Sequence, residues 1–286
     1  MNINSNQPFS IRALSKAMVD LPALPTVVLQ VMKAADKEDT TTSEIEGYIL
    51  GDTALCIKLL KVVNSAYFGL PRQVTSIGQA IGILGLARVR SLVLTVGVLS
   101  ALSNPNPKSA KLRTDFWKWS LTAAAAGQAC AKQMGLDPRA QENAFIGALL
   151  SDLGRLFLLS LYPAQYEQTL IEAMHNQRPL YEVEQRILGM DHGTLGDQLS
   201  QKWGFPVNLS EVVRTHEFPE GENLVAYCAH AGDRLAAIVT NPDCADHVWP
   251  WDAKVKAWLS AEVYSDSALE SLRLKLAESE AVLKAA

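Results

Sequence analysis

The chain predicts an all-α protein, on three observations. Apolar residues recur at helical rather than alternating spacing through nearly all of its 286 residues. Helix-start signals stand before most of these segments. No two alternating segments face each other across a tight turn, so no strand pair is indicated.

The elements follow in order. LPALPTVVLQVMKAA places Pro25 for a first turn, with Val28, Leu29, Val31, Met32 and Ala35 on one broad stripe. Ser43 and Glu46 have capping-box spacing and predict a short helix through Ile49. Asp52 caps TALCIKLLKVVNSAYF, which ends near Gly69-Leu70-Pro71, and Ser76 opens IGQAIGILG. After Gly85 comes ARVRSLVLTVGVLSAL, giving five short helices in about ninety residues. SNPNPKSAK at 103–111 is the clearest loop and the natural boundary of this first bundle. A second helical unit contains FWKWSLTAAAAGQACAKQMG, then AFIGALLSDLGRLFLLSL, DHGTLGDQLSQKWGFP and LVAYCAHAGDRLAAIV. The tail after Asn241-Pro242 gathers Trp249, Trp251 and Trp258. It ends in a helix capped by Ser267 and Glu270, with Leu269, Leu272, Leu276 and Leu283 as a core stripe. The units expected are therefore 1–105, 106–240 and 241–286.

Composition narrows the function classes. The chain is 48% hydrophobic and 20% charged with a net charge of −4, which gives no bulk reason to expect nucleic-acid binding. Its longest apolar runs, such as SLVLTVGVLSAL, fall short of the ~18–20 residues of a membrane span. The N-terminal MNINSNQPFSIRALSK has no apolar signal region, and Cys56, Cys130, Cys228 and Cys244 are scattered without metal or disulfide spacing. A reduced, cytoplasmic setting with no membrane association is the expectation.

No phosphate loop, dinucleotide fingerprint, nucleophile elbow or HExxH is present. The polar groups that recur inside apolar helices are Asp152, His192, His216 and Asp233. Histidine and carboxylate are natural ligands for a divalent cation that activates water. Each also has a structural reading. Asp152 can cap the following helix or pair with Arg155; His192 can help start a helix. His216 can sit as imidazolium at a helix C-terminus, and Asp233 can be solvated or lie against Arg234.

Taken in order, these residues and their surroundings resemble the HD phosphohydrolase superfamily, and specifically its divergent HDOD branch. The resemblance runs over about residues 18–220. It is carried by LPALPTVVLQVMKAA, by DTALCIKLLKVVNSAYFGLPRQVTSIGQAIGILGLARVRSLVL, and by WKWS, FIGALLSDLGRL, DHGTLGDQLSQKWGFP and RTHE. It implies a bundle of short helices packed on a degenerate HD-like helical core, with a C-terminal helical extension. Active HD enzymes ligate metal through an early histidine, an adjacent His-Asp pair and a late aspartate. Here the early position falls at Trp119, the pair reads Ser151-Asp152, and the late aspartate maps to Asp233. His192 and His216 match additional histidines of two-metal relatives, while Glu217 breaks a doubled histidine.

The resemblance thus implies a non-catalytic signalling scaffold acting on protein partners, with no cofactor, no resident metal and homo-oligomerisation left open. Two alternatives stand beside it. One is a phosphohydrolase using Mn or Fe on the reduced set Asp152, His192, His216 and Asp233. The other is a binder of a small phosphorylated signal at the same pocket.

Overall fold

A computed structural model describes residues 11–35, 40–65, 68–102, 110–243 and 245–285, and every regular element among them is helical. Six helices form the first bundle: α1 (Ile11–Val19), α2 (Thr26–Ala35), α3 (Thr42–Leu50), α4 (Thr53–Val63), α5 (Ile77–Leu84) and α6 (Leu86–Ala101). The first is one more than the sequence indicated. Its nine residues carry only a short stripe, Leu14 and Ala17, which is buried against the later helices. The α3 cap is Thr41, whose hydroxyl accepts from the Glu44 amide at 3.2 Å, two residues before the expected Ser43. Asp52 and Ser76 do cap α4 and α5, at 3.0 and 3.1 Å.

Asn64 ties the end of α4 to Val74. Its side chain donates to Leu60 O and Val74 O, both at 2.8 Å, and accepts from the Val74 amide at 2.7 Å. One amide therefore closes a ten-residue excursion and delivers Val74 and Ile77 to the core. Between α5 and α6 the chain turns sharply at Gly85, whose φ of +84° lies in the region that favours glycine.

The second part begins with α7 (Ala110–Gln133), α8 (Pro138–Leu150) and α9 (Leu153–Leu161). It continues with α10 (Pro163–Asn176), α11 (Leu180–Leu188), α12 (His192–Lys202), α13 (Val207–Thr215) and α14 (Leu224–Thr240). α7, α8 and α14 pack as its central layer. The small residues of AAAAGQAC permit this close approach: a Cβ on Gly232 of α14 would overlap the Ala123 carbonyl oxygen of α7. The first bundle is not separate from this layer. One apolar cluster runs from Leu14 through Val98 to Phe157, Leu199 and Val213. A buried polar seam joins α6 to it, with Ser91 donating to Glu142 and Gln128 Nε2 donating to the same carboxylate at 3.2 Å.

Three expectations change here. The 138–161 segment does reach the length and hydropathy of a membrane span, contrary to the shorter runs read from the sequence, and 89% of its most apolar window is buried within the protein. The three tail tryptophans divide between two apolar clusters, Trp249 in one and Trp251 with Trp258 against the other. Trp249 stacks on Trp119, Trp251 packs on His230 and Tyr264, and Trp258 packs on Tyr227. After α15 (Ala245–Val248) and α16 (Ala253–Trp258), α17 (Asp266–Ala285) is capped by Ser265, not Ser267. Leu272 of its stripe is buried; Cys244, the side chain of Leu283 and most of the 103–111 loop lie outside the described residues.

Candidate functional site

The polar centre lies where the α8–α9 turn, the N-terminus of α12, the end of α13 and the middle of α14 meet. Asp152 sits in that turn, 2% exposed. It makes no side-chain cap to α9; instead Oδ2 accepts from Arg155 Nη1 at 2.9 Å, and among the described residues Oδ1 has no hydrogen-bond partner. Asp191 caps α12, which aims the next residue, His192, inward. The His192 amide and Nδ1 both meet Glu184 Oε2, at 2.9 and 2.5 Å, and Glu184 Oε1 accepts from Tyr166 at 2.5 Å. His216 closes α13, with Nδ1 donating to Val213 O at 2.8 Å. These bonds occupy Nδ1 of each ring and turn both Nε2 atoms toward each other, 3.1 Å apart.

Two carboxylate oxygens face that pair. Asp152 Oδ1 lies 3.4 Å from His192 Nε2 and 3.8 Å from His216 Nε2. Glu217 Oε1 lies 3.2 and 3.8 Å from the same two atoms. The outer oxygens are held elsewhere: Arg234 pairs with both Glu217 Oε2 and Asp233 Oδ2. Asp233 Oδ1 accepts from Trp119 Nε1 at 2.6 Å, and the Arg155 guanidinium lies 4.8 Å over the Trp119 ring.

Burial and partners set the charges. Burial would lower His192, but the Glu184 carboxylate outweighs it and holds the imidazole well above its ordinary range. Burial dominates at His216 and lowers it, so it is a neutral acceptor and not the dipole-bound imidazolium the sequence allowed. Burial would raise Asp152 and Glu217, but Arg155 and Arg234 respectively hold them low. Burial, then the Asp152 charge, pushes Asp233 up to about 7.

A model of the HDOD domain family matches residues 21–219. The chain belongs to the HDOD family. A Treponema pallidum protein without an assigned role is 29% identical over 198 residues, covering 69% of this chain; the chain spans 37% of that relative's length. An HDOD-domain structure from Geobacter sulfurreducens superposes with a TM-score of 0.70 at 18% identity, covering 94% of this chain and 96% of that one. A Shewanella amazonensis chain provisionally named a phosphohydrolase gives 0.69 at 24% identity, with 96% and 97% covered. At these identities the likeness is one of fold.

Within the HDOD frame, the sequence left open whether the four candidates converge. Asp152, His192 and His216 do, with ligand atoms all within 4.8 Å of one another. Asp233 belongs to the same network, but both its oxygens are engaged by Trp119 and Arg234. It is neither solvated nor turned to the imidazoles. At the two substituted positions, Trp119 cannot ligate metal and Ser151 turns its hydroxyl to Ala148 O at 3.0 Å. The HD-type site is therefore degenerate. What remains still offers donors to a borderline divalent cation: two imidazole Nε2 atoms that otherwise meet each other, one carboxylate oxygen without a hydrogen-bond partner among the described residues, and an oxygen acceptor behind each ring.

Sequence reasoning missed Glu184 and Tyr166 as members of this centre, and it placed Arg234 only beside Asp233, not on Glu217. Glu184 carried a readable signal. It falls four residues after Leu180 and four before Leu188, on the apolar face of α11, where a charge needs a buried partner. Next to the centre a cavity of 540 Å³ opens over Trp119, Arg155 and Trp249, with Lys118, Arg273 and Leu276 on its walls.

Proposed function

We propose that this chain is a cytoplasmic, non-catalytic HDOD regulatory protein, acting on protein partners in signal transduction with its HD-type centre as a fixed core. One observation carries the reading. Asp233, the late aspartate of the HD pattern, is bound by the Trp119 indole and the Arg234 guanidinium. Protein side chains thus take the place that a catalytic cation and its early histidine would hold. Two buried guanidiniums, Arg155 and Arg234, supply the countercharge that such a cation provides in an enzyme.

A metal-dependent phosphohydrolase is the second reading, favoured by the convergence of Asp152, His192 and His216. A bound cation would supply Lewis-acid activation of water there. Hydrolysis also needs an open coordination position reached by substrate, and both histidines are fully buried. The test is turnover of phosphomonoesters and cyclic dinucleotides with added Mn²⁺ or Fe²⁺, comparing the native chain with Asp152→Ala. Equal background rates are expected; turnover that Asp152→Ala abolishes would overturn the non-catalytic reading.

A further inference from the structure

We infer that the cavity over Trp119, Arg155 and Trp249 binds a small apolar monocarboxylate, aryl or acyl, with the Arg155 guanidinium taking the carboxylate. Its volume of 540 Å³ falls within the roughly 300–1,000 Å³ of small-molecule sites. The walls come from α7, α9, α10, the end of α14 and α17, so the C-terminal extension is part of the site. Asp152, His192 and His216 do not line it. The inference therefore goes beyond the reading of the HD-type centre and does not depend on it.

The lining sets the chemistry. Leu159, Met174 and Leu276 give an aliphatic wall, and Phe116, Trp119 and Trp249 an aromatic one. Water suits such walls poorly, because each molecule needs about two to four polar partners. Arg155 stands among the three rings, its guanidinium carbon 5.9, 4.8 and 5.8 Å from the centroids of Phe116, Trp119 and Trp249. Among the described residues its guanidinium is hydrogen-bonded through Nη1 alone, to Asp152; Nε has no partner, and neither has the indole Nε1 of Trp249. Arg155 and Trp249 are 5% and 2% exposed, and a buried donor left unmet is costly. The fold thus keeps unused donors on two buried side chains of one cavity. A carboxylate supplies the paired acceptors that a guanidinium fork suits. Asp152 already answers part of the Arg155 charge, which favours a single negative head over a phosphate dianion. Lys118 and Arg273 add positive charge to the lining, although Arg273 is shared with Glu270 at 3.2 Å. Asp115 is the one acid on the lining among the described residues, and Lys111 pairs with it at 3.5 Å.

The experiment titrates the full chain with 2-naphthoate, octanoate, the uncharged 2-naphthylmethanol and inorganic phosphate. Calorimetry and the rise in unfolding temperature read binding. One 2-naphthoate or octanoate per chain is expected, bound about tenfold or more tighter than the alcohol, with no uptake of phosphate. Arg155→Lys keeps a cation beside Asp152 but loses the fork, and Met174→Trp fills the aliphatic wall; each should weaken the carboxylate by about tenfold or more. Trp258→Phe, which packs on Tyr227 elsewhere in the extension, should leave affinity unchanged. No saturable uptake of either carboxylate, equal affinity for the alcohol, phosphate bound in their place, or native affinity in either variant overturns the site. Should Arg155→Lys fail to fold, Met174→Trp, outside the buried charges, decides. Turnover at the HD-type centre would leave this site standing, and loss of the site would leave the non-catalytic reading standing.

Discussion

Trp119 Nε1 donates to Asp233 Oδ1 at 2.6 Å across the α7–α14 contact, and both residues are buried. The indole thereby satisfies the Asp233 oxygen that Arg234 does not reach, and it packs at 4.7 Å on Trp249 at the entry to the C-terminal extension. Trp119→Phe keeps much of the ring contact but removes the donor. It should lower stability by about 1–3 kcal/mol, the cost of a buried acceptor left unmet. Urea unfolding of the two proteins measures it, and a loss below a few tenths would show that the indole nitrogen is dispensable.

Arg234 is the more demanding residue. Its guanidinium touches Glu217, Asp233 and, through Nε at 2.8 Å, the carbonyl of Pro250. Arg234→Met fills similar volume yet leaves two buried carboxylates without their cation. A loss of about 3–5 kcal/mol is expected. Arg178→Met, which breaks only the exposed pair with Glu182, should cost less than about 1 kcal/mol. Similar denaturation midpoints for the two variants would contradict this account of the centre.

Two glycines in helices should respond in opposite directions to alanine. A Cβ on Gly154 would run into the backbone carbonyl of His192, because α9 and α12 touch there through main chain. Gly154→Ala must push α12 away and should cost more than about 3 kcal/mol, displacing His192 with it. Gly82 in α5 has open space around the missing Cβ, so Gly82→Ala should stabilise by roughly 0.5–1 kcal/mol. Thermal unfolding separates these outcomes by sign.

How much of this was readable depends on the range of the interaction. Helix existence was legible because caps such as Asp52 and Ser76 act within four residues. Boundaries slipped where two hydroxyls compete, as with Thr41 against Ser43 and Ser265 against Ser267. The degenerate HD pattern was legible in Trp119, Ser151 and Asp152, since it consists of residue identities at spaced positions. The partners of those residues were not. Arg234 is adjacent to Asp233, but its bond to Glu217 depends on how α13 and α14 cross. Glu184 meets His192 through the fold of α11 back onto α12. Periodicity marks such residues as buried and says nothing of what they meet.

His230 gives the last prediction, through pH. Its Nδ1 donates to His216 O at 2.7 Å and its Nε2 accepts from the Asp252 amide at 2.9 Å, so the fold uses it as a neutral ring. Burial, with Arg234 adding to it, lowers its pKa to about 3, against roughly 6.5 in the unfolded chain. Between these values the unfolded chain binds a proton that the folded chain refuses. The stability His230 contributes is therefore complete above about pH 6.5 and falls with acid by about 1.4 kcal/mol per pH unit. Asp233 works the other way: raised to about 7, it takes up a proton in the folded chain first and offsets part of the acid loss in the native protein. A single pH profile would hide both, so the comparison is with His230→Gln, whose amide can still donate and accept. The stability difference between native protein and variant should shrink by roughly 2 kcal/mol from pH 6.5 to pH 5. Urea unfolding at the two pH values reads it, and a constant difference would mean that the ring is protonated, or solvated, in the folded chain.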